Sequence, residues 1–204
     1  SYSVVVGQIH SADGHENEPL KIFYKKFPGH TKGSVFWHYE INTAGDDNSG
    51  RWDYSTGVWG DVSAVRPEDY TFPEEPEDGI VLGEEFSYEI EVKDGIMSLK
   101  FTSEGHETKT FTKNLIVSEY ITTDDIPIGR VGVERETAYA DEGCFFKLGS
   151  YNQSNGVSTG SQTYGGDIQK QYKTGNYAEV WFKTASIFVS DAAISNQKYF
   201  TKND

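Results

Sequence analysis

The 204 residues contain one cysteine, Cys144. No internal disulfide can therefore staple the chain, and cysteine usage does not set its redox compartment. No apolar run reaches the roughly 20 residues of a membrane-spanning helix. Positive charge is scarce too: 18 Lys and Arg stand against 32 Asp and Glu, a formal net charge of −14. Nucleic acid and anionic membranes both call for a basic face, so neither is expected as a partner. A polyanion can bind such a chain only through a local cluster of cations, imidazoles and amides. No G-x-S-x-G elbow occurs, which leaves Ser-His-Asp hydrolysis without its signature. His15, His30, His38 and His106 show no zinc spacing. GDDNSGRWD (45–53) clusters oxygen ligands that suit calcium but misses the EF-hand spacing, and it reads as an acidic turn. No metal and no required cofactor are expected; a structural calcium is the one metal left open.

Helical periodicity and internal repeats are also lacking. What fills the chain instead is strand signal, short runs of Val, Ile, Tyr, Phe, Trp and Thr separated by Gly, Asp, Asn and Pro. Strands are expected in SYSVVVGQIH, LKIFYKKF, SVFWHYEI, WDYSTGVW, FSYEIEVK, IMSLKFTS, ETKTFTK, CFFKLGSYNQ and AEVWFKTASIF. Asp94-Gly95 lies between two alternating runs and predicts a tight hairpin. PEEPEDG (73–79), 124–143 and 154–167 read as loops, and DIQKQYKTG as one short helical turn. The expectation is one domain over 1–204, all-β, an antiparallel β-sandwich or jelly roll with a concave substrate groove.

Two stretches carry chemistry. In GQIH, Gln8 and His10 lie two apart, hence on one face of a strand. That face is either a wet surface or a site. In CFFKLGSYNQ, Phe146, Leu148 and Ser150 form one face, expected as core. Lys147, Gly149, Tyr151 and Gln153 form the other, where Gly149 leaves room for something to lie against the sheet. Asn152 points the opposite way, suited equally to a structural hydrogen bond or to substrate. Lys21, Phe23 and Lys25 share a face of LKIFYKKF and can offer cations to a polyanion; a solvated strand face explains them as well. His38, within FWHYE, is the remaining histidine that merits checking for groove contact.

An amide, an imidazole, an ammonium and a phenol suit β-elimination on a uronic acid polymer. The substrate carboxylate must be neutralised, a base must take the C5 proton, and an acid must protonate the leaving glycosidic oxygen. QIH followed by the K-x-G-x-Y-N-Q pattern resembles the alginate lyases of polysaccharide lyase families 7 and 18. The text from Gly7 to Thr56 looks most like family 18, and the resemblance extends to about AEVWFKTASIF. It implies a β-jelly roll and endolytic cleavage of alginate to 4,5-unsaturated oligouronates. It also implies Tyr151 as catalytic acid, with His10 and Gln8 in catalytic positions and Lys147 facing the substrate groove. Gln153, Asn152, Lys21 and Lys25 complete the expected substrate contacts. Both families carry an R-[ST]-E-[LV]-R strand upstream of QIH; this chain opens on the QIH strand itself, so the arginine of that strand is expected to be missing. A secreted or periplasmic monomer is expected. The competing expectations are a non-catalytic polysaccharide-binding jelly roll using Tyr24, Trp37 and Trp52, and a lyase for another polyuronate such as glucuronan.

Overall fold

The computed structural model describes residues 3–11, 18–27, 29–41, 52–60, 73–115, 144–153 and 178–188. Among them run nine strands: β1 (Ser3–Ser11), β2 (Leu20–Lys25), β3 (Lys32–Ile41), β4 (Trp52–Trp59), β5 (Ile80–Val81), β6 (Phe86–Lys93), β7 (Ile96–Ser103), β8 (Lys109–Asn114) and β9 (Cys144–Asn152). All pairings are antiparallel. The larger sheet has the order β4-β3-β2-β1-β9, with β5 on β3, and the smaller is β6-β7-β8. This is the all-β sandwich the strand pattern predicts. Its most consequential pairing is β1 with β9, which sets the QIH strand beside the strand of FFKLGSYN across more than 130 residues of chain.

Alternation decides which side chains meet between the sheets. Val4, Val6 and Ile9 of β1, Leu20 and Ile22 of β2, Val35, Trp37 and Tyr39 of β3, and Val58 and Trp59 of β4 turn inward. They join Met97, Leu99 and Phe101 of β7 in one cluster. Trp59 meets Phe86 and Phe101 edge-on at 6.3 and 6.4 Å, a favoured aromatic geometry. The other face of the larger sheet is covered as well. Val5, Phe23 and Phe36 form a second buried cluster there, with the two rings stacked at 4.8 Å.

The Asp94-Gly95 hairpin forms as expected. Both residues take positive φ, 50° and 76°, which matches the right-handed twist of β6 and β7. PEEPEDG is a turn whose Asp78 carboxylate accepts from the Gly60 N–H at 3.0 Å. Two differences stand out. β5 is a two-residue strand too short to show in any pattern. The segment 178–188 alternates like a strand but has no ladder partner among the described residues, and Trp181 and Phe188 are 85% and 92% exposed. Alternation marks a face but not a partner. The expected loops at 124–143 and 154–167, the helical turn at 167–175 and most of the 45–53 turn lie outside the described residues.

Candidate active site

The site begins with a β-bulge in β1. Val5 stands opposite Phe23 of β2, yet Gly7 stands opposite Ile22, so two steps on β1 match one on β2. An extra residue shifts the inside–outside parity of the strand. Val4 and Val6 point inward before the bulge, Ile9 after it. Gln8 and His10 are thereby placed on the outer face with Val5. Gly7 lies in the bulge because nothing larger fits: a Cβ there would sit 2.3 Å from the Tyr88 hydroxyl oxygen. Tyr88 reaches across from the smaller sheet and donates to the Val6 carbonyl at 3.1 Å. Burial pushes its hydroxyl up to about 12, so it stays a neutral donor.

Residues directly opposite across antiparallel strands share a face. The register therefore writes one outer-face row through five strands: Lys147, Gln8, Lys21, His38 and Ser55. The next row runs Tyr151, Val5, Phe23 and Phe36. His10 stands opposite Phe145, their rings stacked at 5.2 Å. The Lys147 ammonium lies 5.0 Å above the same Phe145 ring. The His10 Nδ1 is 2.7 Å from the Ser11 carbonyl. A carbonyl only accepts, so Nδ1 carries the proton and Nε2 is the basic nitrogen of the neutral ring.

A cleft of about 420 Å³ opens on this face, lined by Val5, Gly7, Gln8, Glu18, Lys147, Leu148, Gly149, Ser150 and Tyr151. Nothing lies within 4 Å of the position a Gly149 Cβ would take, so this glycine leaves the open space anticipated for it. The structure thus gathers Gln8, Lys147 and Tyr151. His10 does not line the cleft itself, but it shares the outer face with Gln8 and stacks on the Phe145 ring that the Lys147 ammonium also covers. His10 is five residues along β1 from Val5, the partner of Tyr151, which is about 16 Å of strand. Tyr151 is 56% exposed, whereas Gln8 is 7% exposed.

Several expected contacts are corrected. Lys21 and Lys25 share the outer face, as predicted, but offer no solvated cations; they are 5% and 9% exposed. Lys21 donates to Glu40 Oε2 at 2.7 Å and lies 3.3 Å from Glu18 Oε2. The Lys25 ammonium rests 5.2 Å over the Phe27 ring. A buried ammonium needs such partners, and these occupy it. Tyr24 and Trp37 belong to the inter-sheet side, not to a groove; Tyr24 donates to the Ile80 carbonyl at 3.0 Å. Phe146 and Leu148 are 45% and 49% exposed, and among the described residues β9 is the last strand of the larger sheet. Asn152 opposes the inward-facing Val4, so it shares that side rather than the cleft. Gln153 ties down the end of β9, its N–H donating to the Ser3 carbonyl at 2.9 Å. His38 does lie on the outer face, between Phe23 and Phe36 at 4.4 and 5.3 Å. Among the described residues, no group of three His, Cys, Asp or Glu side chains could hold a metal ion.

Two acids went unnoticed in the sequence. Glu40, fully buried, anchors Lys21. Glu18 lines the cleft. The signal for Glu18 in the sequence is its position three residues before Lys21.

Comparison with known proteins fits this geometry. The alginate lyase family model matches residues 1–189. The chain belongs to the alginate lyase family. It is similar to the crystal structure of the exolytic PL7 alginate lyase AlyA5 from Zobellia galactanivorans, at 62% identity and a TM-score of 0.74, over 86% of this chain and 62% of that one. The crystal structure of the alginate lyase from Klebsiella pneumoniae matches at 27% identity and a TM-score of 0.51, over 74% of this chain and 44% of that one. A curated alginate lyase from Klebsiella pneumoniae is 29% identical over 151 residues, 74% of this chain. The chain spans 41% of that protein's length.

Proposed function

We propose that this chain carries the β-elimination site of an alginate lyase. The observation that carries the proposal is the cleft shared by Tyr151, Lys147 and Gln8, three groups that β-elimination of a uronate needs on one surface. The Lys147 ammonium and the Gln8 amide draw negative charge onto the substrate carboxylate as the C5 proton leaves. Tyr151, as its phenolate, takes that proton, and the phenol so formed gives it to O4 as the C4–O4 bond breaks and the C4=C5 bond forms. One group serves as both base and acid, which suits a C5 proton and a leaving group on the same side of the ring, the mannuronate arrangement. His10, outside the cleft, becomes the base for the opposite arrangement only when substrate reaches its Nε2. No cofactor enters this chemistry.

Cleavage from a chain end is favoured over the endolytic action that the resemblance implies. Lys21, Phe23, Lys25, Ser34 and Phe36 are covered on the outer face, while Phe145, Lys147 and Tyr151 are open. A cleft open on the β9 side and closed on the β2–β3 side suits a polymer end. The 62% identity to a structure described as exolytic and PL7 supports this mode, and supports placement in family 7 over family 18. Such an enzyme meets its polymer outside the cytoplasm.

The test uses purified protein on polymannuronate, polyguluronate and glucuronan, following the ultraviolet absorbance of the unsaturated product. Mannuronate is expected to react fastest, small unsaturated products to accumulate from the start, and viscosity to fall slowly. Tyr151→Phe should abolish the signal with the fold intact. An active Tyr151→Phe variant would remove Tyr151 from the mechanism, and early viscosity collapse would restore the endolytic mode.

A further inference from the structure

Four residues make one block on the outer face. Phe145 and Lys147 lie two apart on β9 and so share a side, as Gln8 and His10 do on β1. The register sets Gln8 opposite Lys147 and His10 opposite Phe145. Three corners of this block hold groups assigned above to the elimination. The fourth, Phe145, is an apolar ring that belongs to neither buried cluster and is 37% exposed. Its contacts account for it. The Lys147 ammonium lies 5.0 Å from the ring centroid. The His10 imidazole stacks on the same ring at 5.2 Å, with 24° between the planes. One side chain thus touches both the cation that lines the cleft and the imidazole beyond it.

We propose that Phe145 is a positioning residue, an aromatic mount that holds the Lys147 ammonium at the cleft and fixes the plane of the His10 ring. The inference rests on the lyase reading and adds what keeps its charged and basic groups in place. Lys147 carries its charge on a flexible four-carbon stem, which loses much rotamer freedom when it is stilled. A carboxylate partner would still it but also take up its charge. The negative face of an aromatic ring stills it and leaves the charge to an incoming uronate carboxylate. For His10 two constraints combine. The Ser11 carbonyl, 2.7 Å from Nδ1, sets the tautomer, and the stacked ring sets the plane, so Nε2 stays the basic nitrogen in one orientation.

Phe145→Leu keeps apolar bulk and removes the π face, and Phe145→Tyr keeps the face; thermal melting checks that both fold. Proton NMR reads the mount directly and needs no turnover. In wild type the ring current should move the Lys147 terminal methylene signals upfield and displace the His10 ring protons, and Phe145→Leu should return both. Calorimetry with mannuronate oligomers, in the Tyr151→Phe background so that the ligand survives, reads the consequence. Phe145→Leu should weaken binding about two- to fivefold, and Phe145→Tyr should recover most of it. Once Lys147→Met has removed the ammonium, Phe145→Leu should weaken binding by less than about 1.5-fold more, because the two residues act as one unit. In the active enzyme, Phe145→Leu should lower kcat/KM on polymannuronate about tenfold, since a misplaced cation also serves the transition state poorly. Unshifted Lys147 signals in wild type, unchanged binding in Phe145→Leu, or losses that simply add across Phe145→Leu and Lys147→Met overturn the proposal. Binding that follows these rules in a wild-type protein that forms no unsaturated product sinks the lyase reading instead and leaves the mount standing.

Discussion

Gly7→Ala tests whether the bulge in β1 builds the site. The new Cβ would lie 2.3 Å from the Tyr88 hydroxyl oxygen and 2.9 Å from its ring carbon. Carbon does not approach oxygen so closely, so Tyr88 must swing away or β1 must shift. Overpacking of this kind is destabilising by about 1–3 kcal/mol. Loss of the 3.1 Å bond to the Val6 carbonyl adds about 1 kcal/mol. The expected total is about 2–4 kcal/mol, measured by urea denaturation with tryptophan fluorescence. A second signature follows from the tyrosine itself. Because burial raises its hydroxyl from 10.0 to about 12, the neutral form contributes stability that is fully present below pH 10 and is lost as pH rises toward 12. Two pH units at about 1.4 kcal/mol each amount to ~3 kcal/mol. A variant that has expelled Tyr88 has little of this left to lose, so the gap between wild type and Gly7→Ala should narrow above pH 10. Tyr88→Leu in the Gly7→Ala background should recover part of the loss, since the colliding atoms are gone. A Gly7→Ala protein within about 0.5 kcal/mol of wild type would refute the assignment of the bulge to this contact.

Two further predictions concern buried and half-buried charge. Glu40→Gln removes the main partner of a buried ammonium and should cost about 3–5 kcal/mol, with Lys21→Met added to Glu40→Gln recovering much of it in the same denaturation assay. For Glu84, burial pushes the carboxyl up, but the Val81 N–H, the His106 ring 2.7 Å away and the Ser103 hydroxyl outweigh it, so the group titrates below its ordinary 4.5. Its contribution is present above that value and fades as pH falls through the folded one; Glu84→Gln should flatten this acid limb by under about 1 kcal/mol.

Period-two alternation made most of the sheet legible. Eight of the expected strands form, and the Asp94-Gly95 turn takes the two positive φ angles its residues allow. That the strands of Gln8 and Tyr151 serve one site came from chemistry instead, and their direct pairing is shown by the structure. A lone Gln-x-His and a lone Lys-x-Gly-x-Tyr each fit a wet surface, and only their joint use on one uronate placed them side by side. The segment 178–188 shows the limit of that logic, since it is as rich in strand formers as β6 yet no ladder forms among the described residues. A strand is defined by the neighbour that completes its hydrogen bonds. Nothing within AEVWFKTASIF specifies one.

The lysines show a different limit, and it bears on function. Lys21, Phe23 and Lys25 were placed on the correct face, yet a face is only a direction. Whether an ammonium on it meets solvent, substrate or a carboxylate depends on residues distant in sequence, here Glu40 on the neighbouring strand. A polyanion cleft needs cations, so every lysine on the cleft face invites the same assignment. The structure divides them by partner. Lys147 rests on an aromatic face, which leaves its charge available to an anion, whereas Lys21 is committed to two carboxylates. Charge that is already paired cannot steer or neutralise a substrate, but it can hold a third group still. The buried lysine thus stands behind Glu18 at the cleft wall instead of facing the cleft with its own charge.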